Sequence, residues 1–255
     1  MTRFGRVVSG AVCALSLAVM IPVASAQKGS DAQILADAHK QLSNKKFSGV
    51  QVQVQNGVVQ LSGQVDRYAD KADAQKRIEK MHEAASIQND ITVAAKGGNV
   101  SDEDLYKKLG KALVYDRQGY PEYPFNFLTL QVHDGVVTVG GVVVQPVDKE
   151  SALSLVGNTP GVRDVVDHIQ VAPVSPMDDR IRAEEYRSVY GAPQLNRYAL
   201  DPAKPIRIVV VNGHVTLAGV VDNKGDRDVA GIRANGVPGV FSVQNDLQVP
   251  GQTER

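Results

Sequence analysis

The sequence contains one cysteine and no tryptophan, has no excess of either charge, and shows no apolar run after Ala26 long enough to cross a bilayer. Each absence removes a class of chemistry. Cys13 lies in the apolar stretch Val7–Val23, which follows Arg3 and Arg6 and closes on Ala24-Ser25-Ala26, the pattern of a secretory signal peptide. Gly10, Ser16 and Pro22 interrupt that stretch, and it is shorter than the roughly 20 residues of a membrane-spanning helix. Val12 is not the small residue that a lipid-attachment cysteine follows. Cleavage after Ala26 is therefore expected, giving a periplasmic chain with no integral membrane segment. Such a chain has no disulfide, no thiolate metal site and no cysteine nucleophile. The 28 basic and 28 acidic residues argue against a nucleic-acid partner. The balance is local too, except over residues 98–174, which carry six basic and ten acidic side chains. Lack of tryptophan removes the side chain best suited to anchor at a membrane interface.

What the sequence does have is repetition. Gln55-Asn56-Gly57-Val58-Val59-Gln60-Leu61-Ser62-Gly63-Gln64-Val65 aligns without a gap with residues 133–143 and again with residues 211–221. The turn glycines Gly57, Gly135 and Gly213 are spaced 78 residues apart. In the same register Val50, Val52 and Val54 match Leu128, Leu130 and Val132, and then Ile206, Ile208 and Val210. Downstream, residues 89–93 match 167–171 and 245–249. The chain is a triplicated unit.

Within each copy, apolar and polar residues alternate on both sides of an Asn-Gly or Asp-Gly pair, which predicts a half-buried β-hairpin. Gly63, Gly141 and Gly219 share a strand face with apolar residues, so a bulge or a closely packed helix is expected there. Asp70, Asp148 and Asp226 then precede apolar stripes and are expected to cap helices. Gly225, Gly231 and Gly236 weaken that helix in the third copy. Pro160-Gly161 and Pro238-Gly239 end it in copies two and three, before a closing strand. Upstream, residues 31–42, 102–114 and 178–189 are amphipathic with acidic starts. The fold class is α+β: three tandem αββαβ domains, each a three-stranded mixed sheet with two helices packed on one face. Their expected bounds are 27–97, 98–174 and 175–255, after a signal peptide over residues 1–26.

Residues 212–221 and 238–249 resemble the BON domain, a family named from bacterial osmotic-stress and nodulation proteins. The resemblance covers all three copies. The family's glycines fall on Gly57, Gly135 and Gly213 in the turn, on Gly63, Gly141 and Gly219 in the second strand, and on Gly161 and Gly239 before the last strand. It implies a periplasmic, non-enzymatic module, without a cofactor, that binds phospholipid surfaces or envelope components, in osmotic or envelope stress.

The residues themselves point away from catalysis. His39, His82, His133, His168 and His214 fall at unrelated places in the unit, and no two have the helical spacing of a metal site. One aspartate per copy makes no carboxylate pair, and Ser62 lacks the strained turn of a hydrolase nucleophile. The copies differ instead before the hairpin. From the first helix to the turn glycine there are 26 residues in copy one, against 33 and 34 in copies two and three when counted from Asp102 and Asp179. The added length holds Tyr120 and Tyr123 in copy two, and Tyr186, Tyr190 and Tyr198 among Arg182, Arg187 and Arg197 in copy three. Burial of the insertion against its own domain or a neighbouring copy is one expectation for these residues. The other is a contact surface, in which arginines meet lipid phosphates and aromatics enter the headgroup layer. Copy two is acidic, so Tyr120 and Tyr123 fit an envelope-protein adaptor better than a lipid site. The glycine-rich linker at Lys96-Gly97-Gly98 and the proline-bearing one at residues 172–176 predict that copies two and three are held closer to each other than to copy one.

Overall fold

A computed structural model of the chain describes residues 30–94, 100–116, 123–201 and 204–251. The expected signal peptide, the glycine-rich linker and Tyr120 lie outside these residues. In copy one, α1 (Asp31–Gln41) leads through a 3-10 turn (Lys45–Phe47) to β1 (Val50–Gln55), β2 (Val58–Val65) and α2 (Tyr68–Glu79). Its last strand is split into β3 (Ser86–Asn89) and β4 (Thr92–Val93). Copy two repeats the order with α3 (Asp102–Tyr115), a 3-10 turn (Tyr123–Phe125), β5 (Phe127–His133), β6 (Val136–Val143), α4 (Pro146–Asn158) and β7 (Asp164–Val171). Copy three has α5 (Pro176–Tyr190), a short α6 (Asn196–Leu200), β8 (Arg207–Val211), β9 (His214–Val220), α7 (Lys224–Asn235) and β10 (Ser242–Gln248).

The α+β architecture and the mixed sheets are as the sequence predicts. In every copy the second hairpin strand is central, antiparallel to the first and parallel to the last. Alternation places Val59, Leu61 and Val65 on the inner face of β2, where they meet Ile34 and Ala38 of α1 and Ala74 and Ile78 of α2 in one buried cluster. The same layering recurs in the other copies. Burying such a stripe contributes about 1.5–3 kcal/mol per large apolar side chain, which is the main term holding each small unit together. The helix that glycines weaken in copy three still forms. Asn223 caps it, and Gly231 leaves the space that the Asn245 amide occupies.

Gly63, Gly141 and Gly219 correct one expectation. Hairpin register runs unbroken through Val50↔Gly63 and Leu128↔Gly141, so neither is a bulge. No helix approaches them either. A Cβ there would fall 2.1 Å from the Gly49 carbonyl oxygen, 2.1 Å from that of Phe127 and 2.6 Å from that of Pro205, at φ of +100°, +108° and +127°. The constraint is backbone entering the first strand.

The copies touch at two seams. Between copies one and two, Tyr68 at the start of α2 packs against Gly157 of α4 and donates to the Val165 carbonyl (3.4 Å), while Arg67 donates to Asn158 Oδ1 (3.1 Å). Copy one is thus also seated on its neighbour. Between copies two and three, the Tyr123–Phe125 turn wraps the β8 edge. Arg207 of β8 lies 4.0 Å from the Tyr123 ring centroid and donates to the Tyr123 carbonyl. Phe125 meets Tyr186 edge-on at 6.4 Å. Among the described residues no helix is long and apolar enough to cross a membrane.

Candidate functional site

Two features recur in each copy and a third is confined to copy three, and together they separate scaffold from surface. The first lies at the hairpin turn. Asn56, Asp134 and Asn212 take positive φ (52°, 50° and 51°) with the glycines that follow, the type I′ geometry of a tight hairpin. One carboxylate from the first helix accepts both turn amides. Asp31 holds Asn56 N and Gly57 N at 2.8 Å each, Asp102 holds Asp134 N and Gly135 N at 2.7 and 2.9 Å, and Asp178 holds Asn212 N and Gly213 N at 2.8 Å each. These amide hydrogen bonds hold the Asp102 carboxyl below the usual carboxylate range. Asp178, not Asp179, is therefore the equivalent of Asp31 and Asp102, and copy three has 35 residues between clamp and turn glycine. Removing the clamp leaves two turn amides without a protein acceptor. Asp178→Ala is expected to lower the stability of copy three by about 2 kcal/mol, read as a fall in the urea midpoint by circular dichroism.

The second feature is a buried aspartate. Asp70, Asp148 and Asp226 are not the helix caps: Arg67, Gln145 and Asn223 hold that position and the aspartates lie three residues on, in the first turn. There the helix dipole favours a negative charge. Asp70 is paired with Arg67 (3.2 Å) and Lys46 (3.7 Å). Asp226 receives Arg197, the Tyr198 hydroxyl (2.6 Å) and the Asn223 amide (3.0 Å). Tyr198 also accepts from Asp222 N at 2.8 Å, and burial first of all holds its phenol above the usual range.

This network decides the fate of the arginines and tyrosines that the sequence offers as a contact surface. Tyr198 is 2% exposed and Arg197 is engaged by Asp222 and Asp226. Tyr190 is buried with its hydroxyl on the Ile206 carbonyl (2.5 Å), so burial drives its phenol to higher pKa. Arg182, 4% exposed, donates to Asp179 (2.6 Å) and to the Val210 carbonyl (2.8 Å). Tyr123 is spent on Arg207 and on the Val114 carbonyl (2.6 Å). The seven of these residues that the structure describes therefore form no single patch. Among those described, Tyr186, Arg187 and Arg197 lie at the surface, and Arg197 is held there by Asp222 and Asp226. An arginine is read as exposed because its charge is costly to bury. Arg182 is buried because its fork finds a carboxylate and a strand carbonyl together.

The third feature is what the sequence did not single out. At the turn end of copy three, Met177 and Phe241 are 52% and 72% exposed. Both sit against the glycine pair there: Met177 Cε lies 3.3 Å from the Cβ position of Gly239, and the Phe241 ring crowds that of Gly213. At the aligned places copy one has Ser30 and Ala85, and copy two has Ser101 and Arg163. Arg180 and Arg187 are exposed further along α5. A three-copy comparison at each position would have found this tip; scanning for aromatic density finds the insertion instead.

The seam between copies two and three leaves a cleft of about 490 Å³, walled by Leu113, Phe127, Pro205 and Val220. Its two cations are engaged, Lys204 with Asp222 and Arg207 with Tyr123. Among the described residues one group of acids and histidine has metal-like spacing: Asp102, His133 and Asp134. Asp102 is the turn clamp common to all copies, with both oxygens already on backbone amides, and the helix N-terminus beside it disfavours a cation.

Three hairpin-and-helix units with mixed sheets, clamped turns and buried first-turn aspartates define a tandem array of small α+β modules. The chain belongs to the BON domain family, whose model matches residues 30–95, 101–173 and 193–251. It is similar to Osmotically-inducible protein Y of Escherichia coli (strain K12), with 24% identity over 181 residues, 69% of this chain and 86% of that protein. Two solved structures of CdsD, a structural protein of the type III secretion system of Chlamydia trachomatis, match 87% and 86% of the chain. They cover 99% and 94% of those chains at 13% and 14% identity, and with TM-scores of 0.23 they carry no weight here.

Proposed function

We propose that the chain is a non-enzymatic scaffold of the cell envelope, exported to the periplasm, whose third copy makes weak contact with anionic phospholipid surfaces. The observation that supports it most is the Met177–Phe241 tip, two large apolar side chains left in solvent on the copy whose helix α5 exposes Arg180 and Arg187. An apolar tip next to arginines suits the boundary between headgroups and acyl chains. Copies one and two, with small, polar or basic residues at those positions, then act as spacers. The name of the Escherichia coli relative supports osmotic stress as the condition of use.

Flotation of the mature chain with vesicles containing anionic phospholipid tests this. Binding is expected at low salt and weakened as salt rises. The double variant Met177→Ala, Phe241→Ala is expected to lose about tenfold in binding, since a buried phenylalanine alone contributes about 1.5–3 kcal/mol. Absence of binding at low salt, or full retention in the double variant, would overturn it.

A further inference from the structure

Registered on the turn clamps Asp31, Asp102 and Asp178, the inward positions of the three first helices coincide. Ile34, Leu105 and Ile181 share one place, and Leu42, Leu113 and Val189 share another. Between them lie Ala38, Leu109 and Glu185. Ala38 and Leu109 are fully buried core residues, and Glu185 is equally buried at 0% exposure. The third copy has thus exchanged a core apolar side chain for a carboxyl.

Among the described residues neither oxygen of Glu185 has a hydrogen-bond partner. On α5 itself the ionisable groups sharing its buried side are Asp178, spent on the turn, and Arg182, whose two terminal nitrogens are on Asp179 and Val210. The remaining nitrogen of Arg182, Nε, is itself unpartnered. Tyr190 points to the Ile206 carbonyl. On α7 the inward ionisable group is Asp226, held by Arg197 and Tyr198 of α6. On the sheet the inward residues are apolar, Ile208 and Val210 of β8 with Val215 and Leu217 of β9. A neutral carboxylic acid is tolerable in such a place. A carboxylate is not.

We infer that Glu185 is a proton-controlled latch: α5 stays seated on the sheet of copy three while the carboxyl is neutral and lifts locally to hydrate it when it ionises. Burial pushes its pKa up to about 8 from an ordinary 4.5. Because the seated form holds the proton more tightly, seating is undisturbed below the ordinary value. It weakens as pH rises from there and levels off above about 8. Copies one and two, with Ala38 and Leu109, have no such dependence. The array would respond to alkalinity through one module only.

Hydrogen exchange of the mature full-length chain, with protection factors corrected for intrinsic rates, tests this between about pH 6 and pH 9. Protection of α5 amides is expected to fall about 100-fold over that range, while α3 amides in the same molecule stay level. Glu185→Leu and Glu185→Ala, the residues of the sister copies, and the uncharged Glu185→Gln are each expected to abolish the slope. A level profile for α5 in the unsubstituted chain, or a slope that survives in these variants, would overturn it.

Discussion

Gly141→Ala is expected to unfold the second copy. The added methyl would sit 2.1 Å from the Phe127 carbonyl oxygen, which belongs to backbone at the start of β5 and cannot rotate away as a side chain would. The positive φ of +108° adds strain for any side chain. Together these cost on the order of 4 kcal/mol or more, the diagnostic end of single-substitution effects. A module of this size has little more than that in total. Circular dichroism melting of the mature chain would show loss of one transition or its collapse below room temperature. Gly110→Ala is the control. It lies in α3 with nothing within 4 Å of the new carbon, and removing helical glycine there should stabilise by about 0.5–1 kcal/mol. If the two variants behaved alike, the close backbone approach would have no energetic meaning.

The second large effect is expected at Asp226. Asp226→Ala removes the acceptor for Arg197, for the Tyr198 hydroxyl and for the Asn223 amide at once. Arg197 reaches solvent and can rehydrate, but Tyr198 is 2% exposed and its hydroxyl is left without its acceptor. A loss of about 3 kcal/mol follows, the low end for breaking a buried pair because one partner is not itself buried. Asp226→Asn keeps an acceptor for Tyr198 and should cost less. Urea unfolding followed by tyrosine fluorescence would separate the two, and equal midpoints for Asp226→Ala and the unsubstituted chain would refute the network's role.

The contrast between these two positions shows what the sequence makes legible. Gly141 stands out from repetition alone, since a glycine at the same offset in three copies has to answer a backbone demand. Which demand it answers depends on a carbonyl in the preceding strand, and alternation carries no trace of that. Asp226 is similarly visible as a repeated aspartate, yet its location in the first turn instead of at the cap depends on where the chain bends before the helix. The clamp aspartates were harder. Asp178 and Asp179 are adjacent, and without the turn amides in view a count from either is equally reasonable. Counting from Asp179 also moves Glu185 off the inward stripe, so the buried carboxyl is not legible from the count alone. The insertions were legible as extra length rich in aromatics. Their destination is not, since Tyr123 is used up on Arg207 of β8 and Phe125 on Tyr186 of α5, both in the next copy.

The turn at Tyr123–Phe125 gives the array a consequence that concerns its assembly. β8 ends its sheet, and a bare sheet edge invites pairing with another chain. Copy two supplies the cover, so the modules are not interchangeable beads and their order cannot be shuffled. A third copy made alone, or reached first by a protease that removed its neighbour, would carry an open template for self-association. At this seam the repeat thus has a direction, in which copy two finishes surface that copy three leaves incomplete.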